Sequence, residues 1–410
     1  MTDKGLPLRA KLATSLSRGA AALSKATGRG DGSVIGGRIG LMVDPNLLAN
    51  LAAGRDIALI SGTNGKTTTT RLTAAAMGVL GPVATNGLGA NMPTGHATAL
   101  AKAGQTPYAV LEVDEHYLDQ VLTATRPRVV ALLNLSRDQL DRAKEVAMMA
   151  TLWRRALQGR EIHVVANADD PMVTWAARGA ASITWVGAGQ RWHDDSWVCP
   201  ECGAHIERAA DQWWCVNCSL QKPKTQWAAT DAGVIDPHGR CHNVRLQLPG
   251  RVNLANAATA LAVAAFFGAP VTAAIPRLAE VTSIAGRYAT VVRDGRVIRL
   301  LLAKNPAGWL EAFDMAEPAP TLLSINARDP DGLDTSWLFD VDFSPLRGRQ
   351  VLITGDRAMD LAVRLEVNEV AFEHVTSFSR AIASVGPGRL EVIANYTAFQ
   401  DIRAELDRVN

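Results

Sequence analysis

The chain has 410 residues, of which 48% are hydrophobic and 20% charged, so it is neither a disordered polymer nor a single compact core, and about two or three domains of ~150 residues are expected. The 42 basic and 40 acidic side chains leave a net charge of +2, which gives no footprint for a nucleic-acid partner. No apolar run approaches the ~18 residues of a membrane span.

Residues 1–40 carry seven Lys or Arg side chains against two acids, and Leu8, Leu12, Leu16 and Leu23 fall on one helical face. An amphipathic helix packed on the main body is expected there, and an anionic membrane surface is the functional alternative. The glycine-rich run from Gly28 to Gly40 is expected to end that helix. No apolar core of a secretory signal stands near Met1, which points to the cytoplasm.

From Asp56 onward, short apolar runs alternate with helical stretches. Ile57–Ile60, Tyr108–Val113, Val129–Leu133 and Ile162–Ala166 read as buried strands, with helices over Lys66–Leu80 and Lys144–Gln158. This alternation predicts a parallel, doubly wound α/β sheet with ligands beyond the strand C-terminal ends. Residues 190–228, rich in Trp, Cys and charge, read as an insertion. Sheet and helix patterning resumes through Val244–Leu248 and an Ala-rich helix over Leu254–Gly268. Past a boundary near Ile284–Tyr288, Thr321–Ile325, Val351–Thr354 and Leu390–Ala394 are strand-like and a last helix starts at Thr397. The expected organisation is a basic helical segment over 1–50, a central domain over 51–285 and a smaller α/β domain over 286–410.

The strongest motif is Ser61-Gly62-Thr63-Asn64-Gly65-Lys66-Thr67-Thr68-Thr69, between a strand and a helix. Gly62 and Gly65 permit a tight turn with inward N–H groups, and the helix N-terminus adds positive potential. Lys66 can reach the β- and γ-phosphates of ATP, and the Thr67 hydroxyl can ligate Mg²⁺. Glu112 lies inside a strand-like run, where a carboxylate needs a cation such as nucleotide-bound Mg²⁺. Asn134, Asp138, Asp141 and the run Asn167-Ala168-Asp169-Asp170-Pro171 form further polar clusters, and Asp-Asp-Pro reads equally as a helix start.

Cys199, Cys202, Cys215 and Cys218 form C-x₂-C-x₁₂-C-x₂-C, the spacing of a closed, structural Zn²⁺ site. So short a segment cannot bury a core alone, so metal must contribute on the order of 10 kcal/mol to its folding. Trp213 and Trp214 are expected beside the site. Cys241, flanked by Arg240 and His242, is weak evidence for a nucleophile, because a catalytic pair must meet in space. An amide-forming enzyme without its own thiol nucleophile would take ammonia from another source.

The glycine loop, Glu112, Asn-Ala-Asp-Asp-Pro and Gly250-Arg251-Val252-Asn253-Leu254-Ala255-Asn256-Ala257 together resemble the Mur ligases. That resemblance implies a Mur ligase-like central ATPase domain, an adenine contact at Asn256, and Gly286-Arg287 closing the domain near the nucleotide. Two motifs depart from the common pattern. Asp-His-Leu-Asp appears as Asp138-Gln139-Leu140-Asp141, and Asp-x-Ala-His-Asn-Pro as Leu302-Ala303-Lys304-Asn305-Pro306. With the four-cysteine insertion and Asp331-Gly332-Leu333-Asp334-Thr335-Ser336-Trp337, they resemble the MurT branch, the ATP-binding subunits of lipid II isoglutaminyl synthase.

The branch implies an activity: ATP phosphorylates the α-carboxyl of D-glutamate in the lipid II stem peptide, and ammonia displaces phosphate to give D-isoglutamine. Lys66 and Glu112 would serve the ATP site, Gly62, Thr63, Asn64, Gly65, Thr67, Thr68, Asn256 and Arg287 would bind nucleotide, and a GatD-type class I glutamine amidotransferase would supply ammonia. Asp334 would reach across to orient the partner's catalytic histidine, whereas the neighbouring aspartates read as a solvated, turn-rich loop. A conventional Mur or folylpolyglutamate-type ligase and a nucleotide-binding scaffold without turnover stay open as alternatives.

Overall fold

The computed structural model describes residues 5–27, 32–86, 90–138, 146–284, 287–293 and 295–407. The chain divides into two compact units, one of Met1–Leu135, Val146–Leu248 and Val252–Thr282, the other of Ser136–Glu145, Pro249–Arg251 and Ser283–Asn410.

The first unit is built on β1 (Asp56–Ser61), β2 (Val83–Thr85), β3 (Tyr108–Val113), β4 (Val129–Leu132), β5 (His163–Asn167) and β6 (Ser182–Gly187). A separate hairpin of β7 (Ile206–Ala209) and β8 (Gln212–Cys215) follows, and β9 (Trp227–Thr230), β10 (Gly233–Ile235) and β11 (Cys241–His242) complete the main sheet. Its order is β11-β10-β9-β6-β5-β4-β1-β3-β2, parallel from β2 to β9 with an antiparallel edge beyond. β1 pairs with β3 on one side and β4 on the other, so the chain reverses its direction of travel across the sheet at this strand. Such a switch point opens a crevice at the strand C-terminal ends. β1 is apolar on both faces because both are covered. Ile57 and Leu59 pack with Leu111 and Trp153, while Ala58 and Ile60 pack with Leu72 and Leu261.

The predicted strands stand except at Val244–Leu248, and the first loop helix runs over Lys66–Met77. Another helix occupies Val146–Leu157, with Lys144 outside the described residues. Val244–Leu248 is not a strand. Its alternating Val244, Leu246 and Leu248 anchor a loop that follows the edge strand β11, and among the described residues no strand pairs with it. The glycine run ends the first helix as expected, and part of it is itself helical. After helix Leu8–Ala26, a second helix forms over Ser33–Val43, with Gly36, Gly37 and Gly40 buried where its backbone meets neighbouring chain. A Cβ on Gly37 would lie 1.8 Å from the Thr94 carbonyl oxygen.

Around 190–228 the chain leaves the sheet at Gly187 and returns at Trp227. Val186 pairs with Trp227 and Gly187 with Ala228, so departure and return lie on neighbouring strands at the same level.

The second unit holds β12 (Tyr288–Arg293), β13 (Arg296–Leu302), β14 (Thr321–Ser324), β15 (Val351–Thr354), β16 (Glu373–His374) and β17 (Gly388–Ala394), ordered β12-β13-β17-β14-β15-β16. Only β12 runs antiparallel to its neighbour. Trp309, Phe313 and Phe343 form the aromatic centre of one face, and the last helix is Tyr396–Asp407. The buried Arg299 guanidinium grips Glu391 through two bonds of 2.6 and 2.7 Å across β13 and β17.

Candidate functional site

The glycine loop leaves β1 at Ser61, whose hydroxyl donates to the Val113 carbonyl at 2.9 Å and ties β1 to β3 at their ends. Gly62 has φ +148° and Gly65 has φ +82°, conformations that L side chains rarely adopt. There is also no room for a side chain: a Cβ on Gly62 would meet Leu133 Cβ at 2.8 Å, and one on Gly65 would meet Asn256 Oδ1 at 2.8 Å. The loop is clamped from β4. Thr63 N donates to the Asn134 carbonyl at 2.9 Å, Asn64 N donates to Asn134 Oδ1 at 2.9 Å, and Asn134 Nδ2 donates to the Asn64 carbonyl at 3.1 Å.

Lys66 and Thr67 open the following helix, with Lys66 only 3% exposed. The ammonium donates to the Gly62 and Thr63 carbonyls and pairs with Glu115 Oε2 at 3.0 Å. Thr67 Oγ1 donates to Glu112 Oε2 at 2.8 Å. Glu112 is 1% exposed, and its strand end is held by reciprocal bonds with Asn86, N to Oδ1 at 2.7 Å and Nδ2 to O at 2.8 Å. His96 Nε2 lies 2.7 Å from the same Glu112 carbonyl, so that ring nitrogen carries the proton. Burial pushes His96 down to about 4, against the opposing pull of that carbonyl, so the ring is neutral near pH 7.

A hydroxyl and a carboxylate side by side at a helix N-terminus form a hard, all-oxygen donor set that suits Mg²⁺, and the glycine cradle beside them suits phosphate. Thr67 and Glu112 would hold the ion, whose chemistry is to neutralise charge on phosphate oxygens. Gly62, Thr63, Asn64, Gly65, Lys66, Thr67, Thr68 and Glu112 are thus brought together. Asn256 lies beneath the loop, accepting from Thr69 Oγ1 at 3.1 Å and donating to Asn253 Oδ1 at 3.2 Å.

The Asn-Ala-Asp-Asp-Pro run resolves into structural work. Asp170 is the N-cap of helix Pro171–Ala177, accepting from Met172 N at 2.8 Å and Val173 N at 3.2 Å, and it also accepts from Leu135 N at 2.9 Å. Asp169 pairs with Lys222 at 2.6 Å and accepts from Gly189 N, tethering both ends of the inserted segment.

In that segment the ligand atoms of Cys199, Cys202, Cys215 and Cys218 lie within 4.8 Å of one another. Asn217 N and Cys218 N both donate to Cys215 Sγ at 3.4 Å, a pattern that favours thiolate over thiol. Four converging sulfurs fit a tetrahedral Zn²⁺ with no open position. Trp213 is buried against Cys199, Ile206 and Leu220, and its indole donates to the Ala168 carbonyl at 2.9 Å. Trp214 is exposed, contrary to expectation, because alternate residues of β8 face opposite sides. The same alternation separates Cys241 from His242, whose Nε2 meets Asp236 Oδ2 at 2.9 Å. Burial raises Asp236, but bonds from His242, Arg240 and His238 outweigh it and hold this carboxyl below the usual range.

The second unit carries Arg287 and Asp334. Arg287 stands just before β12, its N–H donating to the Ile284 carbonyl at 3.0 Å, with Gly286 outside the described residues. Asp334 is exposed, with Oδ1 accepting from Ser336 N at 2.8 Å, and that backbone bond lowers its pKa. Its neighbours do structural work. Asp331 Oδ1 accepts from Thr397 N at 2.8 Å, Asp340 pairs with Arg137 at 2.7 Å, and Asp342 Oδ1 accepts from Ser344 N at 2.9 Å. Lys304, where the common motif differs, pairs with Asp138, and Asn305 caps helix Pro306–Met315. Gln139, Leu140 and Asp141 lie outside the described residues.

Residues 60–264 match the profile of the Mur ligase middle domain, and residues 302–399 match that of the MurT ligase C-terminal domain. The chain is 28% identical to the MurT subunit of lipid II isoglutaminyl synthase (glutamine-hydrolysing) of Streptococcus pneumoniae strain R6, over 91% of this chain and 92% of that one. It is also 28% identical to the MurT subunit from Staphylococcus aureus strain COL, over 94% and 95%. Among solved structures, a pseudomurein peptide ligase type C from Methanothermus fervidus superposes with a TM-score of 0.67 at 17% identity, covering 87% of this chain and 79% of that one, which is likeness of fold.

Proposed function

The chain belongs to the Mur ligase family of ATP-dependent ligases, and on that premise we propose that it is the synthase subunit of a lipid II isoglutaminyl synthase in peptidoglycan synthesis. The γ-phosphoryl group of ATP passes to the α-carboxylate of D-glutamate in the stem peptide, giving ADP and an acyl phosphate. Ammonia then attacks the acyl carbon, the C–N bond forms, phosphate leaves with the C–O electron pair, and a proton from nitrogen goes to solvent. The product is D-isoglutamine. Carboxylate oxygen is a poor leaving group, and phosphorylation makes it a good one.

The observation that carries this reading is the pairing of Thr67 with Glu112 beside the glycine cradle and Lys66. Lys66 exchanges Glu115 for phosphate oxygens and neutralises charge on the transferred group. Thr67 and Glu112 would hold Mg²⁺, the amides of Gly62 to Thr68 orient the triphosphate, and Asn256 lies beneath the same loop. Cys199, Cys202, Cys215 and Cys218 would hold Zn²⁺, which would keep the ribbon in shape.

Ammonia comes from a GatD-type glutamine amidotransferase in a heterodimer. Support for its docking face comes from exposed Asp334, Leu333 and Phe339, with Met359, Val363 and Val367 exposed on helix Ala358–Val367. Arg364 of that helix lies 4.8 Å from the Phe339 ring centre, so Phe339 and this helix are neighbours. Asp334 orients the partner's catalytic histidine. The substrate is lipid-linked, and the enzyme acts at the cytoplasmic face of the membrane.

The test is mass spectrometry of lipid II after incubation with this chain, the amidotransferase, ATP and glutamine. Amidation lowers the mass by the difference between a hydroxyl and an amino group. An unchanged mass with all components present would refute the proposal.

A further inference from the structure

The first two helices are packed inside out. Their shared face is made of the smallest side chains: Ala10, Ala13 and Ser17 on helix Leu8–Ala26, Gly36 and Gly40 on helix Ser33–Val43. The fit is close enough that a Cβ on Gly36 would lie 2.8 Å from the Ser17 carbonyl, and one on Gly40 would lie 3.2 Å from Ser17 Cβ. The large apolar side chains point the other way. At ~100° per residue, Leu8, Leu12, Leu16 and Leu23 span an arc of only about 80°, on the side opposite the buried Ala and Ser. Leu8 is 84% exposed and Leu23 66%. On the second helix Val34, Ile35 and Met42 are likewise exposed, with exposed Arg38 among them. The leucine periodicity had suggested packing on the body, and the packed face is instead the alanine and serine one.

Charge identifies what covers this surface. Residues 5–43 contain six Lys or Arg and one acid, Asp31, which lies outside the described residues. On the helical projection Arg9 and Lys11 flank the leucine ridge on either side. Arg9 donates to the Val43 carbonyl at 2.6 Å and Arg18 to the Ala101 carbonyl at 2.6 Å, which fixes the helices on the unit with their ridge outward. Among the described residues no helix is long and apolar enough to cross a membrane. An apolar ridge bordered by cations of one sign is the form of a helix lying in the plane of an anionic lipid interface.

We infer that helices Leu8–Ala26 and Ser33–Val43 dock this unit on an anionic lipid surface. The leucine ridge enters the acyl boundary, and Arg9, Lys11 and Arg38 meet headgroup phosphates. The inference rests on the outward surface alone and stands apart from the reaction proposed above. A docked enzyme meets a lipid-linked substrate by diffusion in two dimensions.

The test is co-sedimentation of the full chain with vesicles of equal parts phosphatidylglycerol and phosphatidylcholine, beside vesicles of phosphatidylcholine alone. Preferential, salt-sensitive binding to the anionic vesicles is expected. Because burial of one leucine is worth about tenfold or more in partitioning, Leu12→Ser with Leu16→Ser lowers binding by about 10²-fold. Both side chains are exposed, so ATP affinity and amidation of a water-soluble stem peptide stay as in wild type. Lys11→Gln and Arg38→Gln together keep the apolar ridge, and at about fivefold per charge they cost about 25-fold. The inference is overturned by no binding to the anionic vesicles, equal binding to both vesicle types, or undiminished binding of either variant. It is overturned equally if the leucine variant loses the amidotransferase while keeping the vesicles, which would mark a protein interface.

Discussion

Asn134→Ala is expected to weaken nucleotide binding without touching nucleotide. The Asn134 side chain makes two bonds to the backbone of Asn64, at 2.9 and 3.1 Å, and these fix the middle of the glycine loop against β4. At about 0.5–1.5 kcal/mol net for each bond, their loss costs about 1–3 kcal/mol of loop order. That cost is repaid when the phosphates bind, so affinity for a non-hydrolysable ATP analogue with magnesium falls about 5- to 150-fold. The third clamp, Thr63 N to the Asn134 carbonyl, belongs to the backbone and survives the substitution. Asn134 lies outside the hydrophobic cores, so the loop loosens locally and the melting temperature of the free protein moves less than the binding loss implies. Calorimetric titration of wild type and variant, with a thermal melt of each, measures both quantities. Affinity within about twofold of wild type would refute the argument that the clamp shapes the cradle.

Lys66→Ala should lower turnover by about 10²–10³, as loss of a main charge stabiliser does, and unchanged ATP consumption would show that the loop is not the active site. Asp334→Asn should abolish glutamine-dependent amidation while sparing amidation from free ammonium, and equal loss of both would rule out an interface role. Removing zinc with a chelator should unfold the ribbon, because bound metal is worth on the order of 10 kcal/mol there, and expose cleavage sites within 190–228 to trypsin. A metal-free preparation with an unchanged digest would contradict the structural assignment.

What the sequence reveals and hides follows from distance along the chain. The glycine loop and the cysteine pairs are local: their pattern lies in spacing over a few residues, and the structure places the one at a helix start and draws the four sulfurs of the other together. The residues that hold the loop are not local. Asn134 acts on Asn64 across 70 positions, and Asn86 acts on Glu112 across 26. Glu115, the resting partner of Lys66, reads in sequence as an ordinary polar residue after a strand, and His96 carries no motif at all. Asn134 itself was visible only as polar at a strand end. Periodicity correctly placed the leucines of the first helix on one face, but it cannot say which face is buried. Small residues decided that, because Ala13 and Ser17 let glycine backbone approach. Val244–Leu248 has the alternation of a ladder, but among the described residues no strand pairs with it.

The seating of the four-cysteine ribbon has a consequence for how the chain can be cut and rejoined. Since Gly187 and Ala228 are paired on adjacent strands, the two ends of the detour stand about 5 Å apart, one interstrand spacing. A short bridge in place of the detour would preserve the order and polarity of every strand around it. The ribbon is therefore a guest on its host sheet, held by the Asp169–Lys222 pair and the Trp213 indole, and the nucleotide cradle owes none of its strand connectivity to that guest.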